Sequence, residues 1–252
     1  LGDIFINDAF GTIHRKHASN YGVSSILPSG IGFLVMKEIK NLSVLDNPER
    51  PFVVIMGGAK LSSKLGVINS LLSKVDYLLV GGAMSYTFLK AKGYNVGKCF
   101  YEEDYVSYCE DLLSKYSDKI ILPVDLYGSS SYSNATLKEY CLVSSIPDSF
   151  IGLDMGDKTI SLFCDYLRDA KTIFWNGPVG VYEFSNYING SKELMSFLGS
   201  IPAIKILGGG DSVSCMDMLS CASSVTYVST GGGATLEYIV DKKLPGLVYM
   251  ED

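Results

Sequence analysis

The stretch PFVVIMGGAK (51–60) sets five consecutive apolar residues, Phe52 to Met56, directly against two glycines and a lysine. A short, unbroken, β-branched run of this kind suits a strand buried on both faces better than one wetted on alternate residues. The pattern repeats outward along the chain. Tyr77–Val80 is followed by Gly81-Gly82-Ala83, Thr172–Trp175 by Asn176-Gly177-Pro178-Val179-Gly180, Ala203–Leu207 by Gly208-Gly209-Gly210-Asp211, and Val225–Val228 by Ser229-Thr230-Gly231-Gly232-Gly233. Lys119–Leu122 is a sixth apolar run. Amphipathic stretches at Leu61–Ser73, Thr159–Asp169 and Ser212–Ala222 lie between them. Strand and helix alternating in this way predict an α/β fold: a doubly wound, Rossmann-like parallel sheet with helices on both faces.

The flanks are less regular. Asp3–Asn7 reads as a strand, the polar GTIHRKHASNYG follows, and Pro28 closes the segment. From Gly30 to Leu45 the residues Ile31, Leu34, Val35, Ile39, Leu42 and Leu45 recur at helical spacing, and Asp46-Asn47-Pro48 stops the helix. Tyr127–Ile146, serine-rich at its start, reads as an excursion from the sheet. Complete domains rarely begin inside a strand, so the chain is expected to be a fragment.

Ligands of open parallel sheets bind beyond the carboxyl ends of the strands, where the five glycine clusters are expected to lie. Glycine lets backbone approach a ligand closely, and a following helix offers free N–H groups and a positive dipole end to an anion. Any one cluster could be a tight turn and nothing more. Five in one sheet, two of them bearing a suitable charge, point to a ligand with several phosphates. No G-x-G-x-x-G opens a first βα unit and no G-x-x-x-x-G-K-[ST] occurs, so the arrangement is neither the dinucleotide fingerprint nor the Walker A loop.

Bulk properties narrow the classes. Of 252 residues, 21 are basic and 27 acidic, a net charge of −6 that argues against nucleic acid as a partner. No apolar run has the length of a membrane span. The six cysteines form no C-x-x-C pair and read as reduced thiols of a cytoplasmic protein; with two histidines they build no zinc pattern.

Several runs resemble phosphoglycerate kinase: NDAFGTIHR (7–15), GIGFLVMKEI (30–39), NPERPFVVIMGGAKLSSKLGVI (47–68), VGGAMSYTFLKAKGY (80–94), GLDMGDKTI (152–160), WNGPVGVYEF (175–184), GGGDS (208–212), STGGGATLEYI (229–239) and LPGL (244–247). They run through the whole chain in the family's order. The resemblance implies a cytoplasmic glycolytic enzyme, expected to be monomeric, that moves a phosphoryl group between 1,3-bisphosphoglycerate and Mg-ADP. It also implies three parts: residues 1–28 from the phosphoglycerate-binding lobe, 29–46 as a hinge helix, and 47–252 as the nucleotide-binding domain. Most of the first lobe is not in this sequence, so the chain alone is expected to be inactive.

Roles follow from the resemblance. Lys60 and Lys64 would meet the nucleotide phosphates and the transferred group, and Gly232 and Gly233, after Gly231, would present helix amides to that group. Asp211 would hold Mg²⁺, within the ADP/ATP-binding run Gly208, Gly209, Gly210, Asp211 and Ser212. Gly82 and Gly152 would lie beside the adenine, Asn176, Gly177 and Val179 would line the same pocket, and Glu183 would reach the ribose. Arg15, with His14 before it, would bind phosphoglycerate. Ala83, Ser63 and Ser212 depart from the family's usual glycine, aspartate and threonine. From the residues alone, Lys60 and Lys64 could be solvated surface lysines and Asp211 a helix N-cap. Two other functions compete: a nicotinamide-dependent oxidoreductase, disfavoured by the missing fingerprint, and a nucleotide-binding module without catalysis.

Overall fold

A computed structural model describes residues 2–134 and 137–250; Leu1, Ala135, Thr136, Glu251 and Asp252, including the chain start and two residues of the Tyr127–Ile146 excursion, lie outside the described residues. In chain order the elements are β1 (Phe5–Asn7), β2 (Ser29–Ile31), α1 (Phe33–Leu42), β3 (Phe52–Met56), α2 (Leu65–Leu72), β4 (Tyr77–Val80), α3 (Met84–Ala91), α4 (Val106–Lys115), β5 (Ile120–Ile121), β6 (Asp125–Ser129), β7 (Glu139–Leu142), β8 (Ile151–Met155), α5 (Asp157–Leu167), β9 (Thr172–Asn176), α6 (Asn189–Ser200), β10 (Ile204–Gly208), α7 (Gly210–Met218), β11 (Tyr227–Val228) and α8 (Gly233–Val240).

Six strands form one parallel sheet in the order β11-β10-β9-β3-β4-β5. From β3 the chain steps outward through β4 to β5; after β8 it returns to β9 on the other side and steps outward through β10 to β11. The strand order therefore reverses between β3 and β9, the place where an open α/β sheet forms its crevice. Every residue of β3 and of β9 is buried.

Alternation of side chains sends these strands into two cores. Phe52, Val54, Met56, Leu78, Val80 and Phe174 face α1–α4 and α8, while Val53, Ile55, Leu79, Ile173 and Trp175 face α5, α6 and α7. Both faces being covered explains the unbroken hydrophobicity of the strands. Full burial of a Leu, Val or Phe side chain contributes about 1.5–3 kcal/mol, so these two layers hold the sheet.

The structure corrects two readings of the flanks. The helix expected from Gly30 begins at Phe33, because Ser29–Ile31 pair in parallel with Phe5–Asn7 as a separate two-stranded sheet. Asp8 then caps the helix from a distance, its Oδ1 accepting the N–H groups of Leu34 (2.6 Å) and Val35 (3.0 Å). Gly32 leaves room for that carboxylate; a Cβ there would overlap it. The excursion is partly ordered as well: β6 pairs antiparallel with β7 and β8 in the order β7-β6-β8. The buried Asp125 carboxylate ties this small sheet to α5 by accepting the N–H groups of Lys158 (3.0 Å) and Thr159 (2.8 Å).

Candidate active site

The turns after β3 and β9 interlock at the strand-order reversal. Gly57 N–H donates to Asn176 O (2.9 Å), Gly58 N–H to Pro178 O (2.8 Å) and Gly82 N–H to Val179 O (3.1 Å). The backbones approach so closely that a Cβ on Gly57 would overlap the Pro178 carbonyl oxygen and stand 2.6 Å from that of Gly177. Gly58, Gly82 and Gly177 have φ of +96°, +63° and +91°, where L side chains are strained.

Two hollows open above these turns. The first, of about 260 Å³, is largely apolar; Gly82, Ala83, Gly152, Val179 and Glu183 are in its wall, with Tyr86, Phe100 and Tyr132. The second, of about 390 Å³, is lined by Lys60, Ser63, Lys64, Asn176, Gly177, Gly209, Gly210, Asp211, Ser212, Gly232 and Gly233. Gly58, Ala59 and Asp211 belong to both, so the two form one cleft, apolar at one end and rich in glycine and lysine at the other. The turns after β4, β10 and β11 lead into α3, α7 and α8 within a few residues. The turn after β9 runs on to Asn189 before α6 starts, and α2 starts only at Leu65, so those two contribute loop backbone rather than a helix end.

Lys64 does not stand free in the cleft. Its Nζ is folded back onto the sheet ends, donating to Gly57 O (2.7 Å), Asn176 O (3.0 Å) and Asn176 Oδ1 (2.6 Å). These acceptors are neutral, and burial lowers its pKa to about 8, with Asp211 opposing the shift. Because Oδ1 of Asn176 receives the lysine, its Nδ2 points the other way; that buried amide has no hydrogen-bond partner among the described residues. Lys60 is exposed on the rim. Ser63 donates its hydroxyl to Lys60 O (2.9 Å) and so closes the turn between the lysines.

Asp211 lies in the first turn of α7, whose N-cap is Gly209 (φ +94°) with no side-chain cap, so the aspartate is not an N-cap. Among the described residues its carboxylate makes no hydrogen bond or ion pair. Ser212, in the same wall, is largely buried: its Oγ accepts the Gly177 N–H at 2.6 Å and ties the β9 and β10 turns together. Ala83 has φ −65°, which any residue adopts, so its methyl narrows the cleft without backbone strain.

Several expected residues are placed elsewhere. Gly208 does not line the cleft; it is packed between Phe174 and Thr235. Gly231 is likewise enclosed, since a Cβ there would overlap the Phe10 ring. Gly232 (φ +54°) has open space in front of it. His14 is at the edge of this end: its Nε2 is 3.5 Å from where a Cβ of Gly233 would be, and it accepts the Arg15 Nε–H at 3.2 Å. Arg15 is exposed beyond it. Tyr86, Phe100 and Tyr132 were missed. Tyr86 was findable, one helical turn beyond Gly82-Ala83; Tyr132, within the serine-rich excursion, carries no signal of its own.

A covered parallel sheet with a glycine-walled cleft at its strand-order reversal defines an α/β ligand-binding domain of the open-sheet class. The phosphoglycerate kinase family model matches residues 1–242, and the chain belongs to that family. It is 47% identical over 259 residues to a phosphoglycerate kinase of Lactobacillus delbrueckii subsp. bulgaricus, covering all of this chain and 64% of that protein. With the enzyme of Levilactobacillus brevis the identity is 46% and the coverage the same. The phosphoglycerate kinase structure from Coxiella burnetii superposes with a TM-score of 0.93 at 34% identity, over 99% of this chain and 65% of that one. The one from Pyrococcus horikoshii OT3 gives 0.86 at 30%, over 98% and 64%. The chain thus spans 64% of the length of the curated relatives it matches. Its six cysteines are free, and among the described residues no helix is long and apolar enough to cross a membrane.

Proposed function

We propose that residues 47–252 bind Mg-ADP or Mg-ATP, and that the whole-length protein transfers a phosphoryl group between 1,3-bisphosphoglycerate and Mg-ADP, giving 3-phosphoglycerate and Mg-ATP. The carrying observation is the continuity of the cleft: an apolar end fit for a purine joins, through Gly58, Ala59 and Asp211, an end fit for phosphates. Residues 29–46 would form the hinge and 1–28 part of the phosphoglycerate lobe, a division supported by the separate β1–β2 sheet. Free cysteines suit a cytoplasmic setting. Isothermal titration with ADP, with and without Mg²⁺, tests the reading. Saturable binding tightened by the metal is expected; absence of heat at millimolar nucleotide would contradict it.

Phosphoryl transfer needs positioning and charge neutralisation more than a covalent intermediate. Lys60 would meet the phosphates from the rim and Lys64 from the floor, while the Gly232 and Gly233 backbone would face the transferred group. Arg15 and His14 would address the phosphoglycerate side. Asp211 fits Mg²⁺: it is a hard oxygen donor at the phosphate end, without a protein partner among the described residues. Among those residues no three His, Cys, Asp or Glu side chains gather into a metal site, so the nucleotide would supply further oxygens. When bound, the ion would neutralise phosphate charge.

Lys64 gives this site a pH signature. Free, it loses its proton near pH 8; an anionic phosphate beside it favours the charged form and raises that pKa in the complex. The complex then holds more protons than the free protein above pH 8, so ADP affinity is expected to fall as pH rises from about 8 to 9.5, approaching tenfold per unit at the steepest. Lys64→Arg, charged throughout, should flatten that limb relative to wild type in the same titrations.

A further inference from the structure

The apolar end of the cleft holds a nearly buried hydroxyl that nothing in the protein uses. Tyr86, on α3, is 4% exposed and lines the cleft wall with Phe100, Gly152, Leu153 and Val179. Its hydroxyl makes no hydrogen bond among the described residues. The wholly buried Tyr187 shows the usual arrangement, donating its hydroxyl to Gly128 O at 3.2 Å. The Gly152 backbone is close to the Tyr86 hydroxyl, so close that a Cβ there would overlap the oxygen and stand 2.8 Å from Cζ. The Gly152 N–H is not available to it, because it donates to Cys99 Sγ at 3.1 Å.

A hydroxyl that opens on the cleft without a protein partner is free to bond a ligand, and covering it with a ligand that left it unbonded would be costly. Apart from the Glu183 and Asp211 carboxylates, the side chains of this hollow are apolar or aromatic, so a ligand seated there needs flat, apolar faces and a polar edge. A nucleobase has that chemistry; a sugar or a phosphate does not. We infer that the Tyr86 hydroxyl is the polar contact by which this cleft recognises the edge of a nucleobase, an assignment that rests on the nucleotide reading proposed above. A phenol both donates and accepts, so it can meet a ring nitrogen or an exocyclic amine. Burial, followed by the nearby Cys99, Asp154 and Cys141, raises its pKa well above the ordinary value and keeps the proton on the oxygen.

The test compares two probes on the full chain: Mg-ADP, which carries a base, and Mg-tripolyphosphate, which does not. Tyr86→Phe removes one oxygen and retains the ring. It is expected to weaken Mg-ADP roughly three- to tenfold and to leave Mg-tripolyphosphate binding unchanged. Gly152→Ala, whose methyl would take the hydroxyl's place, should give the same differential loss and stands in if the first variant folds poorly. Unchanged Mg-ADP affinity in both variants would overturn the inference while leaving the nucleotide reading intact. Equal loss for both probes would also overturn it, by making Tyr86 a support of the cleft rather than a contact. A wild-type chain that bound tripolyphosphate but not ADP would overturn both.

Discussion

Gly57→Ala is expected to lose about 3 kcal/mol of unfolding free energy or more, together with nucleotide binding. The added methyl meets main chain, not a side-chain end that can swing away: it overlaps the Pro178 carbonyl oxygen and stands 2.8 Å from the Pro178 carbonyl carbon. Overpacking against side chains in a core typically costs about 1–3 kcal/mol, and here the β3 and β9 turns must separate. Separation breaks the Gly57 N–H to Asn176 O and Gly58 N–H to Pro178 O bonds, and with them the seat of Lys64. Gly210→Ala is the control, since a methyl there meets nothing within 4 Å and its φ is ordinary; its stability should stay within about 0.5 kcal/mol of wild type. Urea unfolding of the two variants side by side measures the difference. A Gly57→Ala protein as stable as the Gly210→Ala protein would mean the two turns are not locked as described.

Asp211→Ala is expected to remove the metal-dependent part of ADP affinity from a protein that stays folded. The side chain caps nothing and makes no hydrogen bond or ion pair among the described residues, so its loss should cost the free protein only the helix-dipole contribution of about 0.3–1 kcal/mol and the support its charge gives to protonated Lys64. Thermal unfolding should show the wild type gaining more from Mg-ADP than from ADP alone, and the variant gaining equally from both. If the metal's extra stabilisation survived in the variant, the ion would be held elsewhere.

Much of this was legible in the chain because burial on both faces leaves an unmistakable mark. FVVIM and TIFW, in the two central strands, are unbroken apolar runs, and Gly57 and Gly177 after them are held against backbone that leaves no room for a Cβ. The edges were less legible. Gly30 and Ile31 fall inside the helical periodicity because a three-residue strand is too short to show its own period, and the pairing of Ser29–Ile31 with Phe5–Asn7 is a non-local fact. The resemblance proposes roles for the lysines and the aspartate, but the sequence does not carry their states. Nothing local in Lys64 announces that its ammonium is anchored to Gly57 and Asn176, since that depends on a strand 112 positions away. Nor does a motif show that Ser212, in the wall of the cleft, also holds the Gly177 N–H, or that Gly208 is packed between Phe174 and Thr235.

Soaking crystals of the chain in Mg-ADP and locating the nucleotide tests the central claim most directly. The base is expected at the apolar end beside Tyr86 and Gly152, the phosphates between Lys60, Lys64 and the Gly209–Ser212 turn, and the metal on an oxygen of Asp211. Nucleotide seated away from the β3–β9 reversal, or bound with its phosphates at the apolar end, would contradict it.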